Sequence, residues 1–436
     1  MSAAQQEHKD ARGSEGMRDE GEERTTGPGE DHHEVIVVGG GMVGAALAVL
    51  LGEAGVKVAL VDARPALLDP EAVGRGRPAR RVSALTPVSQ RLLEGLGAWS
   101  WMAARRVSPY RYMQVWDAEG SGEVDFSADQ AGLPVLGHIV ENDVTLAALE
   151  RRLVALPSVH LCLGARVEGL EGGAGERRVL LADGRRLNAP LVVAADGARS
   201  PLRNLAGIAV SERDTGHVGL VTTVRVAAPH GEVARQAFLP GGPLAFLPLA
   251  VDGDEQHCSI VWSTSPAEAE RLAGLEREAL GEALAAAIDH RLGEVTVLDE
   301  AVGFPLVQRH AERYTLPGFA LVGDAAHGIH PLAGQGVNLG LMDAAVLAEE
   351  LLAARQRGVL LGDERVLARY ARRRRGDNAG MLALMDGFRL LFGARHPALS
   401  LARNLGLSGV DRLVPLKRLL LQQATGQRGR LPASCR

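Results

Sequence analysis

Three stretches of this chain combine glycine and acid at spacings that could do chemistry. The first is Gly39-Gly40-Gly41-Met42-Val43-Gly44, the pattern Gly39-x-Gly41-x-x-Gly44, with Asp62 at the end of a later apolar run. Such glycines suit a dinucleotide. One makes a tight turn, the next lets backbone approach a pyrophosphate, and the third lets a helix lie close to a strand, while the acid meets ribose hydroxyls. The second stretch is Asp196-Gly197-Ala198-Arg199-Ser200, which alone reads equally well as an ordinary turn. The third runs from Gly323 and Asp324 to Asp343, with glycines at 328, 334, 336 and 340 and a single proline, Pro331. Glycine at that density lets backbone lie against something flat or anionic. The helix that follows offers its N-terminus to negative charge.

The elements that must position these groups are legible around them. Val35–Val38 reads as a buried strand, Ala45–Ala54 as a helix, and Lys57–Val61 as a second strand ending at Asp62, which completes a dinucleotide-binding unit. Leu191–Ala195 is a buried strand before Asp196, and Pro201-Leu202-Arg203 opens a helix. Phe319–Val322 is a strand before Gly323, and Ala344–Leu352 a strong helix. Arg80 and Arg81 precede a helix over Pro87–Leu96, where they serve either an anion or the surface. Asp143–Leu156 reads as an amphipathic helix. His160–Leu163, Ala165–Leu170, Arg178–Ala182 and Arg186–Leu187 read as a small antiparallel meander turning at Asp183-Gly184.

Residues 111–137 and 209–301 change character, with alternating strands such as Leu220–Val226, Leu244–Leu249 and Ser259–Ser263. This is an inserted α+β substrate domain, and Phe246-Leu247-Pro248-Leu249 is either pocket lining or plain sheet core. The nucleotide-binding domain is then discontinuous: residues 34–110, 138–208 and 302–365. Residues 366–436 read as C-terminal helices. The expected class is α/β, a Rossmann-like domain with an insertion.

Composition narrows the function. The chain has 436 residues, 46% of them hydrophobic and only 3% aromatic, which disfavours base-stacking nucleic-acid modules. No apolar run approaches the ~18 residues of a membrane-spanning helix. Cys162, Cys258 and Cys435 lie far apart without metal or redox spacing, as expected in a reducing cytoplasm, and no metal site is expected. Residues 1–33 hold nine acids against four bases and almost no large apolar side chains, so an acidic disordered tail is expected, with order beginning at Glu34. Residues 366–436 hold fourteen Lys and Arg against three Asp. That region suits either an anionic membrane surface or a solvated helical face.

Taken together, the three stretches resemble the class A flavin-dependent monooxygenases, the family of para-hydroxybenzoate hydroxylase. The long form His330-Pro331-Leu332-Ala333-Gly334-Gln335-Gly336-Val337-Asn338-Leu339-Gly340 is similar to the ubiquinone-biosynthesis hydroxylases. Residues 136–142, 244–249, 258–263 and 387–392, with Arg81-Val82-Ser83-Ala84, look most like 2-polyprenylphenol hydroxylase. The resemblance covers about residues 34–425. Where many relatives have Glu, this chain has Asp62, and where they often have Asp it has Ala79.

The resemblance implies FAD as cofactor, NAD(P)H as electron donor, and transfer of one oxygen atom from O2 to a phenol ring through a flavin C4a-hydroperoxide. Gly39, Gly41 and Gly44 would hold the pyrophosphate and Asp62 the adenosine ribose. Arg81 would lie near the flavin, and Asp196 and Gly197 would serve both FAD and the nicotinamide donor. Gly323 and Asp324 would meet the ribityl side, and Pro331, Gly334, Gly336 and Asn338 would border the isoalloxazine. A polyprenylphenol substrate further implies contact with the inner membrane surface or with other enzymes of the pathway. A phenol calls for a proton acceptor. His138, His217, His257, His327 and His330 are candidates by type, although a structural role suits His327 and His330 better. Rival readings are a sister ring hydroxylase acting later in the same pathway, another flavin enzyme on this fold, such as a halogenase or prenyl reductase, a non-catalytic flavin-fold component, and a plain NAD dehydrogenase.

Overall fold

A computed structural model describes residues 30–328, 336–393, 414–427 and 429–436. Its centre is a six-stranded sheet in the order Thr315–Leu316, Phe319–Leu321, Leu191–Ala194, Val35–Val38, Val58–Asp62 and Val159–Leu163. All neighbours are parallel except the first two strands. Val35–Val38 and Leu191–Ala194 are buried at every position, because helices cover both faces of a parallel sheet. Helix Met42–Glu53 packs on one side against helix Gly336–Gln356 and helix Asn142–Val154.

The other large layer is a sheet of nine strands, running from His327–Gly328 through Val302–Ala311, Val210–Val226, Asp254–Thr264, Gly242–Val251, Val233–Leu239 and Tyr112–Asp117 to Glu123–Ser127. Val295–Val297 pairs beside Val210–Val226. One face of this sheet buries Leu220, Val224, Phe246, Ile260 and Trp262 against helices Pro266–Ala273 and Arg277–Ala287. A three-stranded sheet of Val82–Leu85, Gly137–Glu141 and Ser108–Tyr110 joins the two layers.

Several sequence expectations shift. Val302–Ala311, expected in the nucleotide-binding part, pairs from Val302 to Ala311 with Val221 to Val210 and belongs to the nine-stranded sheet. Val159–Leu163, expected in a meander, is the parallel edge strand beside Val58–Asp62; its apolar run continues the central sheet. The other three meander strands do form a sheet, with the turn carried by Gly184 at φ 87°. Glu30–His32, expected within the disordered tail, adds to that sheet in parallel with Arg186–Asn188, since backbone pairing needs no apolar side chain. Residues 1–29 lie outside the described residues. The chain end is packed rather than loose: Cys435 is buried, and Arg91 Nε donates to its carbonyl at 3.0 Å.

Candidate flavin site

The carboxyl ends of the central parallel strands meet in one place, where doubly wound sheets bind ligands. Gly39 leaves Val35–Val38 at φ 105°, and a Cβ there would stand 2.2 Å from the Ala195 carbonyl oxygen. Only glycine fits. A Cβ on Gly44 would stand 1.9 Å from the Gly39 carbonyl oxygen, so the helix presses onto the turn. At Gly41, by contrast, an added Cβ meets nothing among the described residues within 4 Å. Gly41 is also the N-cap of helix Met42–Glu53 and, being glycine, has no side chain to cap the first N–H groups. The helix therefore presents backbone N–H groups to open space, an anion cradle.

Asp62 stands at the end of its strand as expected, and it is tied into the turn. Its Oδ2 accepts the Gly40 N–H at 2.5 Å, and its Oδ1 accepts the Arg64 N–H at 2.7 Å and Arg64 Nε at 3.1 Å. Arg64 also donates to the Gly40 carbonyl at 2.9 Å and pairs with Glu150 at 2.8 Å. Sequence reading missed Arg64 and Glu150. Their partners lie on separate elements, and no local spacing marks them.

Asp196 and Gly197 stand beside the Gly39 turn, which touches Ala195 and the Asp196 backbone. Asp196 Oδ2 accepts the Leu202 N–H at 3.1 Å, while Oδ1 is buried with no hydrogen-bond partner among the described residues. Burial raises the Asp196 carboxyl above its ordinary value. Gly197, at φ 83°, has open space at its Cβ position.

Gly323 turns at φ 59° on top of Val43, and Gly340 packs on the same valine. Thus the third stretch touches the first. Asp324 is exposed at this turn, yet protein crowds its other sides. That desolvation lifts its carboxyl, opposed electrostatically by neighbouring groups, Arg81 among them. Arg81 therefore lies in the field of Asp324, and its guanidinium stands 6.0 Å over the Phe304 ring. The segment bearing Arg81 is held from below. Glu141, buried, accepts the Ala79 N–H at 2.6 Å and Arg106 Nη1 at 2.8 Å, and Arg106 also donates to the Gly76 carbonyl. This anchor works through the Ala79 backbone, so the missing acid at 79 does not undo it.

Gly336 opens helix Gly336–Gln356, and an added Cβ there meets nothing within 4 Å among the described residues. The Asn338 side chain does something else. Its Oδ1 accepts the Thr86 N–H at 3.0 Å and Ser89 Oγ at 2.7 Å, and its Nδ2 donates to the Ala84 carbonyl at 2.7 Å. The amide straps this helix to helix Pro87–Gly95, leaving only its backbone for a ligand. Pro331, Gly334 and His330 lie outside the described residues.

Behind Gly323 is a buried polar network. Asp343 accepts the Gly323 N–H at 3.0 Å, meets His327 Nε2 at 2.5 Å and accepts Arg374 Nε at 2.6 Å. Arg374 bonds Asn378, which donates to Tyr314, and His310 contacts the Tyr314 hydroxyl at 3.0 Å. Burial alone would raise the Asp343 carboxyl, but His327 and Arg374 together hold it down at about 2. His327 thus supports the turn, in line with its expected structural role. Of the other histidines, His138 is buried against Trp99 and desolvated down to about 4. His257 sits 3.7 Å from Asp254, and His217 Nδ1 sits 3.3 Å from Ser263 Oγ.

A family model described as "FAD binding domain" matches residues 32–382. The chain belongs to this family of flavin-dependent monooxygenases. It is 41% identical over 90% of its length to the 3-demethoxyubiquinol 3-hydroxylase of Escherichia coli K12, covering 98% of that protein. It is 37% identical to the ubiquinone hydroxylase UbiL of Rhodospirillum rubrum, over 92% of this chain and 91% of that one. In fold it matches p-nitrophenol 4-monooxygenase from Pseudomonas putida DLL-E4 with a TM-score of 0.72, at 21% identity, over 92% of this chain and all of that one.

The site fits FAD on its own geometry. At Gly41, Gly197 and Gly336 an added Cβ would meet nothing within 4 Å among the described residues, and Arg81 acts electrostatically on Asp324. No helix among the described residues is long and apolar enough to cross a membrane.

Proposed function

We propose that this enzyme hydroxylates the aromatic ring of a polyprenylated phenol in ubiquinone synthesis. The observation that carries the reading is a row of apolar side chains on the nine-stranded sheet. Ala245 pairs with Val261, Val261 with Val221, and Val221 with Val302, so all four share one face. That face is opposite the helix-covered core, and all four residues are half-exposed. Leu247 extends the row along its strand, while neighbouring Phe246 faces the core. At the next row stands Phe304, 43% exposed, under the Arg81 guanidinium. An apolar floor bordering the flavin cleft suits a ring with a long hydrocarbon substituent.

Bound FAD, reduced by NAD(P)H, supplies the oxygen-activating chemistry that no side chain can. The chain's part is to hold and shield it. The N-terminus of helix Met42–Glu53 would cradle the pyrophosphate, and Asp62 and Asp324 would face hydroxyl-bearing parts of the cofactor. Backbone N–H groups at the start of helix Gly336–Gln356 suit negative charge on a reduced ring.

Two ring positions remain as readings. The stretches around Arg81, His138 and Phe246 favour the early hydroxylation of 2-polyprenylphenol. A relative 41% identical, named for 3-demethoxyubiquinol, favours a later hydroxylation in the same pathway. Analysis of the quinone precursor in cells lacking the protein decides between them. Accumulated 2-polyprenylphenol supports the first, an accumulated demethoxy-intermediate the second, and an unaltered quinone profile overturns both.

We further propose that the basic stretch 366–436 rests on an anionic membrane, where such a substrate resides. Replacing Arg395, Arg403 and Arg412 by Ala should weaken flotation with anionic liposomes severalfold. Unchanged flotation would exclude the idea.

A further inference from the structure

The apolar floor ends on an amide. Ala245 pairs with Gln236 on the next strand, Gln236 with Val115, and Val115 with Val124. Residues in register stand on one face, so Gln236 shares the face of Val261, Val221 and Val302. The packing agrees. Ala237 and Trp116, next in sequence to Gln236 and Val115, enter the helix-covered core, while Val115 and Val124 cluster with Phe238 on the opposite face.

Gln236 is 7% exposed. Its nearest neighbours on this face, along and across the strands, are Ala234, Phe238, Val115 and Ala245, all apolar. Among the described residues no group hydrogen-bonds its amide, and the amide is not one of those unpaired side-chain groups that are closed off from solvent. It is therefore unpaired and keeps an accessible face. An amide held in apolar surroundings without a partner is destabilising, and an apolar side chain of the same size would pack there at lower cost. A partner that arrives from outside accounts for the residue.

The accessible side is the floor. Ala245 and Val261, one and two strands away, are half-exposed, and so are Val221 and Val302 beyond them. In the other direction Val115 and Val124 are buried, next to a cluster that joins Ala128 and Leu136 to Leu421 of helix Val414–Ala424. The row is thus closed beyond the amide and open on its Ala245 side. From Gln236 to Val302 are four strand spacings, about 19 Å. Ala245, with a single methyl, leaves room for a ligand to meet the amide.

We propose that the Gln236 amide holds the oxygen substituents of the substrate ring. This deepens the ring-hydroxylation reading and rests on it. Oε1 accepts the hydrogen of the phenol hydroxyl, and Nε2 donates to an oxygen on the neighbouring ring carbon where one is present. The apolar row receives the face of the ring. A site built around an amide rejects a ring that lacks the oxygen much more strongly than an apolar pocket rejects a missing methylene, because the amide is then left unpaired. Gln236 is a specificity-determining residue: it orients the ring and moves neither protons nor electrons.

The test uses the flavin-loaded protein without NAD(P)H, so that nothing turns over. Dissociation constants are measured by calorimetry for a polyprenylated phenol and for the same molecule with hydrogen in place of the hydroxyl. Wild type is expected to bind the phenol about tenfold more tightly or better. Gln236→Leu should bring that preference below about twofold, with the melting temperature of the unliganded protein unchanged or raised. Gln236→Met should do the same, which keeps the test open if the first variant folds poorly. A preference that survives both substitutions, a wild type without one, or a lowered melting temperature in both variants overturns the role of Gln236. Wild-type protein that binds neither molecule and, given NAD(P)H and O2, hydroxylates no polyprenylated phenol overturns the ring-hydroxylation reading instead, so the two failures are distinct.

Discussion

Asp343 accepts the backbone N–H of Gly323 at 3.0 Å. The first and last residues of the long glycine-spaced stretch are thus joined, and the joint is buried. The same carboxylate bonds Arg374, which is 2% exposed. Truncating Asp343 to Ala would leave that guanidinium buried without its charge partner, a loss on the order of 3–5 kcal/mol. Asp343→Asn, which keeps an oxygen for the Gly323 N–H, should cost less and retain more FAD. Denaturant titration together with FAD released on dialysis checks both. Equal FAD retention in Asp343→Ala and wild type would separate this network from the flavin turn.

The glycines of the first turn should fail differently. Gly39→Ala forces a Cβ into the Ala195 carbonyl at a backbone angle that only glycine takes readily, so soluble protein is expected to drop sharply. Gly41→Ala meets no described residue, so the protein should fold with a near-normal melting temperature. Its FAD affinity should still fall at least tenfold, because the new methyl occupies the cradle. Thermal melts and flavin fluorescence on the stripped protein distinguish the two.

Stability should fall in two acid windows. His138 is buried and held down at about 4, against an ordinary 6.5. Its neutral form is the native one, so its contribution is present above pH 6.5 and lost as pH falls toward 4. Asp343, at about 2 against an ordinary 3.8, contributes above 3.8 and loses that contribution as pH falls toward 2. That second term is on the order of 2 kcal/mol. Urea midpoints measured from pH 7 to 2 should show both declines, and His138→Gln should flatten the first while leaving the lower one.

Phe304 and Arg81 should divide cofactor from substrate. Phe304→Ala removes apolar floor without touching the glycine turns, so FAD loading should persist while KM for a long-tailed phenol rises severalfold. Arg81→Met should weaken FAD binding or alter the flavin absorption band, since its charge acts at Asp324. Steady-state kinetics and visible spectra on both variants check this.

Much of the site was legible because its signals are local. Gly39, Gly41 and Gly44 announce their turn by spacing, and strand ends at Asp62, Asp196 and Gly323 follow from short apolar runs. What was hidden depends on contacts between distant residues. Arg64 with Glu150, Arg106 with Glu141 and Asp343 with Arg374 are ion pairs between separate elements, and charge alone does not name a partner. The motif around Asn338 does not show that its amide binds Thr86, Ser89 and Ala84. That Val302–Ala311 joins the nine-stranded sheet is not legible, because a strand's sequence records its alternation and not the strand it joins. His217 was one candidate among five by type. Only the folded chain sets its Nδ1 beside Ser263 Oγ.

The most direct measurement follows the oxygen atom. Flavin-loaded protein, NAD(P)H and a polyprenylated phenol are incubated under 18O2, and the product is analysed by mass spectrometry. One 18O atom in a new ring hydroxyl, with phenol-dependent NAD(P)H oxidation, is the expected result. An unmodified ring, or a hydroxyl carrying oxygen from water, would contradict the account.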